Sequence, residues 1–355
     1  GLIRRAREMR LASNRFAFLV SVLKAREAKG VTTEMLEDIL IRASSTAEAV
    51  EFLKGTDLGE YLAEIGAVKF QDIDESLWKY LGIYFGRIKK LRPDPSVVRL
   101  IDSYLEKYDT ANIISALKSV ATQRPPQMIP VGALSDQGLL AELSRAQTTG
   151  EIASVLAAGG LADYAGPVRE ISDTDRRTLL QVQRRIHGLY MQRFARVLSG
   201  LDDSGILLRA YGILLDHLLL GRAIRSSVAG RPGAAEVEIA LSGGRLITPA
   251  AYRDLTAMKM PEIIHRLEGT PYHAMAQEAG RQIDQQGSYA IDRVMEPERI
   301  RRLRELLSPR SLSPCAVLWH LVFKEVEIRN VRLAVKAAQD RLPPAEVRDY
   351  LAVGL

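Results

Sequence analysis

The sequence has little of what catalytic and metal sites are built from. Its single cysteine, Cys315 among 355 residues, excludes an internal disulfide framework and any zinc site that needs several cysteines. It contains no Gly-Lys dipeptide, so a Walker A phosphate loop is absent. The five histidines are scattered, and none lies in an H-E-x-x-H pattern. We therefore predict no catalytic, cofactor-binding or metal site, and a protein that is not an enzyme.

Long apolar runs and aromatic residues are also scarce. No run of about 18 apolar residues occurs, so we expect no membrane-spanning helix. Aromatic residues make up 6% of the chain, which leaves few stacking platforms for nucleic acid. The net charge of +6 favours an acidic partner or surface, but basic and acidic residues alternate, as in 298–305. That mixture is typical of a solvated helix face, so nucleic-acid binding is not predicted.

Most of the chain has helical periodicity, and the predicted fold class is all-α. Apolar residues recur every three or four positions in the stripes around Leu19, Leu81, Leu100 and Ile186. Thr32 and Ser96 are expected to cap helices. Strand patterns are few; the alternation at 237–241 is interpreted as a loop or a short extended piece.

An internal repeat divides the chain. Residues 109–118 have a counterpart in 327–336: each begins with an acid, Asp109 or Glu327, and has an Asn three positions later, Asn112 or Asn330. Each copy also ends on a lysine, Lys118 or Lys336. Residues 216–225 are a weaker copy, and 15–24 the weakest. The terminal bases are 94, 107 and 111 residues apart, which are domain-sized steps rather than the period of a solenoid.

A second element follows the first in each unit. Segments 48–55, 151–159 and 262–269 each begin with a glutamate and end with a glycine, which suits a short helix with a left-handed C-terminal residue. We predict three related helical units at 1–105, 106–212 and 213–355. The last unit carries an extra helix, which we expect to close against the N-terminal unit.

The C-terminal signature is the most specific segment. Lys324–Arg332 reads K-E-V-E-I-R-N-V-R, and it resembles the closing signature of the C subunit of archaeal and bacterial A/V-type ATPases, the relative of the vacuolar d subunit. Tyr108–Asn112, Ile129–Gly132 and Leu267–Tyr272 are similar to other stretches of that family, in the same order. The chain departs from the pattern at Leu219, where an Asn would complete the third copy, at Ala158-Gly159, and in the Arg-rich opening 3–10.

The resemblance implies a non-catalytic part of a rotary motor. Family members are three helical domains arranged as a funnel with pseudo-threefold symmetry, on the cytoplasmic face of the rotating proteolipid ring. The funnel receives the foot of the central shaft, which the D and F subunits form, without a cofactor. The matching signature residues, which we expect to be mainly structural, are Asp109, Asn112, Lys118, Lys324, Glu325, Glu327, Arg329, Asn330 and Arg332.

The residues themselves are compatible with such a coupling part. Spacing allows Lys324 to meet Glu327, and Glu325 to meet Arg329, along one helix surface. Asparagine is a poor residue for a helix interior, so the repeated Asn112 and Asn330 are expected to tie their helices to a neighbour or loop. The alternative is a helical adaptor that binds peptides or partner helices in soluble complexes, which shares the all-α repeat but not the signature.

Overall fold

The computed structural model describes residues 16–66, 69–170, 176–230 and 244–351, and within these ranges all regular structure is helical. The all-α prediction is thus confirmed for the described residues. The extended piece predicted at 237–241 and the Arg-rich opening lie outside them. The N-terminal part contains α1 (16–27), α2 (Thr33–Arg42), α3 (Thr46–Glu51), α4 (Asp57–Ile65) and α5 (Phe70–Lys90).

The middle and C-terminal parts each begin with a long helix that short helices follow. The middle part contains α6 (Pro95–Thr122), α7 (Ala133–Asp136), α8 (Leu140–Arg145), α9 (Thr149–Ala158), α10 (Ala162–Arg169) and α11 (Arg176–Ser199). The last part contains α12 (Ser204–Val228), α13 (Pro249–Ala257), α14 (Met260–Arg266), α15 (His273–Gln286), α16 (Ala290–Leu307), α17 (Pro314–Asp340) and α18 (Pro344–Val347). The unit boundaries expected at 105/106 and 212/213 lie inside the continuous helices α6 and α12.

Side-chain caps explain where many of these helices begin. Thr32 accepts a hydrogen bond from the Met35 N–H, as its predicted capping role requires. Ser96 does not cap α6: Asp94 accepts the N–H of Ser96, and Pro95 begins the helix with the φ angle that proline already has. The predicted cap was therefore two residues late.

The three short helices that have a glutamate in the first turn begin with the same hydrogen bond. Glu48, Glu151 and Glu262 each accept a hydrogen bond from a backbone N–H ahead of the helix, at 2.7, 2.8 and 2.7 Å. Their glycine ends differ. Gly55 and Gly269 have the expected positive φ, but in the middle copy Gly160 has it and Gly159 does not.

Long helices pack in three recurring pairs. Helix α6 packs on α11, α12 on α16, and α17 on α5. The third pair joins the C-terminal part to the N-terminal one, and α17 also contacts α2 and α3. The expected packing of the extra helix against the N-terminal unit is thus present.

Helix α12 is long and apolar enough to cross a membrane by length and composition alone. In this fold it is a core helix, because Leu207, Leu215 and Leu220 are fully buried and the helix packs on α11, α13 and α16. It also carries Asp216 and His217 in buried positions.

Candidate functional site: a central cavity between the repeated helices

The acid of each repeat binds the backbone of a loop. The two carboxylate oxygens of Asp109 on α6 accept the N–H groups of Ala133 (2.8 Å) and Leu134 (3.0 Å). Asp216 on α12 accepts those of Leu246 (3.1 Å) and Ile247 (2.9 Å). The two copies predicted from the sequence therefore make the same contact.

A glycine lies shortly before the N–H donors in each loop, because the nearby carboxylate leaves no room for a side chain at that position. A Cβ atom at Gly132 would come within 2.5 Å of the Asp109 carboxylate, and one at Gly244 within 1.9 Å of that of Asp216. Both distances are shorter than any van der Waals contact, so only glycine fits. Burial raises the pKa of Asp109 to about 7, although the two backbone N–H groups oppose this.

The third acid, Glu327 on α17, reaches the N-terminal unit. Its Oε1 accepts the Val31 N–H at 2.8 Å, and its Oε2 accepts from Lys324 at 2.7 Å. The side chains of Lys324 and Glu327 are each only 1% exposed. The predicted Lys324–Glu327 pair thus exists, but it is buried at the junction of the two chain ends rather than on a helix surface.

Other polar groups continue this junction. His320 on α17 lies 2.7 Å from the Tyr84 hydroxyl and 3.1 Å from Glu27. Burial lowers the pKa of His320, and the neighbouring Glu27 opposes that effect. A neutral ring with its proton on Nδ1 satisfies both contacts. The Lys324 ammonium lies 4.8 Å from the centre of the Tyr84 ring, a cation–π contact.

The repeated asparagines are buried. Asn112 donates to the Ile129 carbonyl (2.9 Å) and accepts the Ile129 N–H (2.7 Å), so it ties α6 to the loop before α7. This is the role predicted for it. Asn330 is 1% exposed on α17, and Leu219, at the same repeat position, is also buried.

Residues of α6, α12 and α17 line a cavity of about 460 Å³. The residues two positions before each repeat acid line it together: Lys107, Leu214 and Glu325. Two residues after the acid, Leu218 and Arg329 line it as well. The three repeated helices therefore present equivalent faces to one space, and α11 and α16 complete its wall.

Glu325 is the best-satisfied charge in the cavity wall. It accepts hydrogen bonds from Lys107 (2.5 Å), Tyr104 (2.5 Å) and Tyr108 (2.8 Å). Burial raises its pKa, but the Lys107 charge and the three hydrogen bonds outweigh burial and bring the pKa to about 2. Its partner is thus Lys107 on α6, and the expected pairing with Arg329 is not the one that forms.

The remaining signature residues hold α17 to other elements. Arg329 pairs with Glu296 of α16 at 2.5 Å and donates to the Tyr350 carbonyl at 2.9 Å. Arg332 binds Asp74 of α5. Lys118 is exposed on α6. The structure thus brings the signature residues Glu325 and Arg329 to the cavity, beside Lys107, which is not part of the signature. Asp109, Asn112 and Glu327 bind loops, and Arg332 joins α17 to α5.

Sequence reasoning missed several cavity residues, namely Tyr104, Lys107, Arg222, Glu296 and Arg299. The repeat alignment contained a signal for Lys107, which occupies the position of Glu325 in another copy. For Arg222, Glu296 and Arg299 no such signal existed, because they enter the cavity only through tertiary packing.

The described residues offer few groups for metal binding or nucleophilic attack. They contain no cluster of three or more metal-ligating side chains. Cys315 is buried, and burial raises the pKa of its thiol, which disfavours the nucleophilic thiolate. The cavity wall itself combines charged and apolar side chains, so it can make both kinds of contact.

Comparison with known proteins identifies the family of this chain. A profile of the family described as "ATP synthase (C/AC39) subunit" matches residues 19–350. The chain belongs to this family. As a member of the C/AC39 family it is a non-catalytic subunit of a rotary ATPase, as the C-terminal signature predicted.

The sequences of individual relatives align with this C/AC39 family member over nearly its whole length. The C subunit of the A-type ATP synthase of Pyrococcus abyssi is 20% identical over 93% of this chain and 88% of its own length. That of Methanocaldococcus jannaschii is 22% identical over 95% and 86%. The Thermococcus kodakarensis protein is 24% identical over 93% and 88%. The match thus includes all three copies of the repeat that surround the cavity.

Proposed function

We propose that this C/AC39 family member is the rotor component that couples the membrane ring to the central shaft. In this role it sits on the cytoplasmic face of the proteolipid ring and receives the foot of the shaft, formed by the D and F subunits, in the central cavity. The observation that carries the proposal is the cavity itself, to which three repeated helices turn equivalent positions.

We further propose that the molecule consists of three units related by pseudo-threefold symmetry. Helices α6–α11 and α12–α16 form two of them, and α1–α5 completed by α17 form the third. Three observations support this division: the recurring long-helix pairs, the repeated loop contacts of Asp109, Asp216 and Glu327, and the shared cavity. The boundaries then fall in the turns before α6, α12 and α17 rather than inside helices.

A torque-transmitting part must be stiff, and the buried contacts provide stiffness. Each repeat acid fixes a loop to a core helix, and Glu327 joins the two ends of the chain. Buried hydrogen-bonded groups resist distortion, since breaking them leaves an unsatisfied polar group at a cost of about 1–3 kcal/mol.

The test is a pull-down from gently solubilised source membranes, with this chain as bait and mass spectrometry as readout. We expect the proteolipid ring and the shaft proteins to be recovered together. Recovery of soluble partners without ring or shaft would instead support a helical adaptor.

A further inference from the structure

The cations of the cavity wall outnumber its carboxylates. Lys107 is paired with Glu325, and Glu296 is shared between Arg299 and Arg329. That leaves Arg222 of α12, which lines the same cavity and contacts none of the carboxylates in the described residues. The cavity therefore carries an uncompensated positive charge.

The surroundings of Arg222 make this charge unfavourable in the chain alone. The residue is half-buried, and burial together with the neighbouring Arg184 and Arg225 guanidinium groups lowers its pKa. A partly desolvated charge among like charges is costly unless an anion accompanies it. In addition, the Nε–H of Arg299 is buried without an acceptor in the described part of the chain.

The size and lining of the cavity restrict what can enter. A helix end about 10 Å wide with a 5.4 Å pitch fills roughly 400 Å³ per turn. The 460 Å³ cavity therefore accepts about one turn. Leu218, four residues before Arg222 and thus on the same face of α12, is 38% exposed there and offers apolar contact.

We propose that Arg222 binds a carboxylate at the end of a shaft helix, whose apolar side chain packs on Leu218. This inference rests on the proposed function, because it assigns the recognition chemistry of the same cavity. Arg299 supplies a second donor through its Nε–H. The occupant is thus an acidic helix end rather than a basic or purely apolar one.

The experiment measures the affinity of the full chain for the purified D and F shaft proteins of the same complex. Removing one partner of a desolvated charge pair typically costs at least about 2 kcal/mol, or roughly 30-fold in affinity. We expect that loss for Arg222→Ala, a smaller one for Arg222→Lys, and no measurable binding for Arg222→Glu. The matched control is Arg209→Glu, an exposed position on the same helix, which should leave affinity unchanged.

Thermal melting separates recognition from folding. Since Arg222 is repelled by its neighbours, Arg222→Ala should melt at the same temperature as the unchanged chain or higher. In the shaft protein, a lysine in place of the carboxylate that Arg222 binds should restore binding by the Arg222→Glu variant. If the unchanged chain binds no shaft, the proposed function and this inference both fall. If it binds, and Arg222→Ala binds equally well, only this inference is overturned.

Discussion

At the residue scale, the buried carboxyl group of Asp109 contributes to the pH dependence of stability. Asp109 accepts two backbone N–H groups but lies in an almost fully buried position, and its pKa is raised to about 7 from the ordinary 3.8. The native state therefore holds this proton more tightly than the unfolded chain does. The stabilisation from Asp109 is complete below about pH 4 and is lost as the pH rises to about 7.

We predict that Asp109→Asn removes this pH dependence. Between pH 4 and 7, the unfolding free energy of the unchanged chain, relative to that of the variant, should fall by up to roughly 1.4 kcal/mol per pH unit. Above pH 7 the difference should be constant. Denaturant unfolding at several pH values measures it, with the exposed Asp254→Asn as control. A difference that does not vary with pH would show that Asp109 stays charged throughout.

At the element scale, helix α17 carries two lysine–acid pairs in contrasting environments. Lys324 and Glu327 are buried, with 1% of each side chain exposed, whereas Lys336 and Asp340 are 45% and 38% exposed. Breaking a buried pair leaves an uncompensated charge, but an exposed pair contributes little. The same substitution at the two lysines therefore separates the effect of burial from that of charge.

We predict that Lys324→Met destabilises the chain by about 3–5 kcal/mol, because Glu327 keeps its charge and loses its ammonium partner. Lys336→Met should cost less than about 1 kcal/mol. Chemical denaturation of both variants provides the comparison. Similar small losses at both positions would mean that Glu327 becomes protonated or hydrated when Lys324 is absent.

At the scale of the whole molecule, the two ends of the chain share one packed region. Helix α17 packs on α2, α3 and α5, and Glu327 binds the Val31 N–H. The N-terminal helices thus depend on a helix that is nearly 300 residues away in sequence. The described middle part, α6–α16, builds its own long-helix pairs without α17.

We predict that Lys324→Met loosens the chain unevenly. Amide hydrogen exchange should accelerate in 16–90 and 314–340, because opening the α17 contact exposes both, and should change less in 95–307. Mass spectrometry of peptic fragments resolves these regions, and Lys336→Met is again the control. Uniform acceleration along the chain would indicate a single cooperative unit instead of separate ones joined at α17.

The sequence alone determined the fold class, the repeat and the family, since helical periodicity, capping residues and the Lys324–Arg332 signature are local patterns. The recurring amides Asn112 and Asn330 were expected to tie their helices to a neighbour or loop, because asparagine is a poor residue for a helix interior. Asp109 and Glu327 were noted as repeat and signature residues, but not as loop-binding groups. Their partners were not predictable, since each contact joins a helix to a distant loop.

Only the tertiary structure decided how the charges pair and where they gather. Spacing along one helix suggested Glu325 with Arg329, but the three-dimensional packing places Lys107, Tyr104 and Tyr108 closer to Glu325. Likewise, Arg222 and Glu296 enter the cavity because α12 and α16 pack beside α17. Local sequence specifies which residues a helix contains, whereas the distances between charges on different helices depend on the packing of the whole chain.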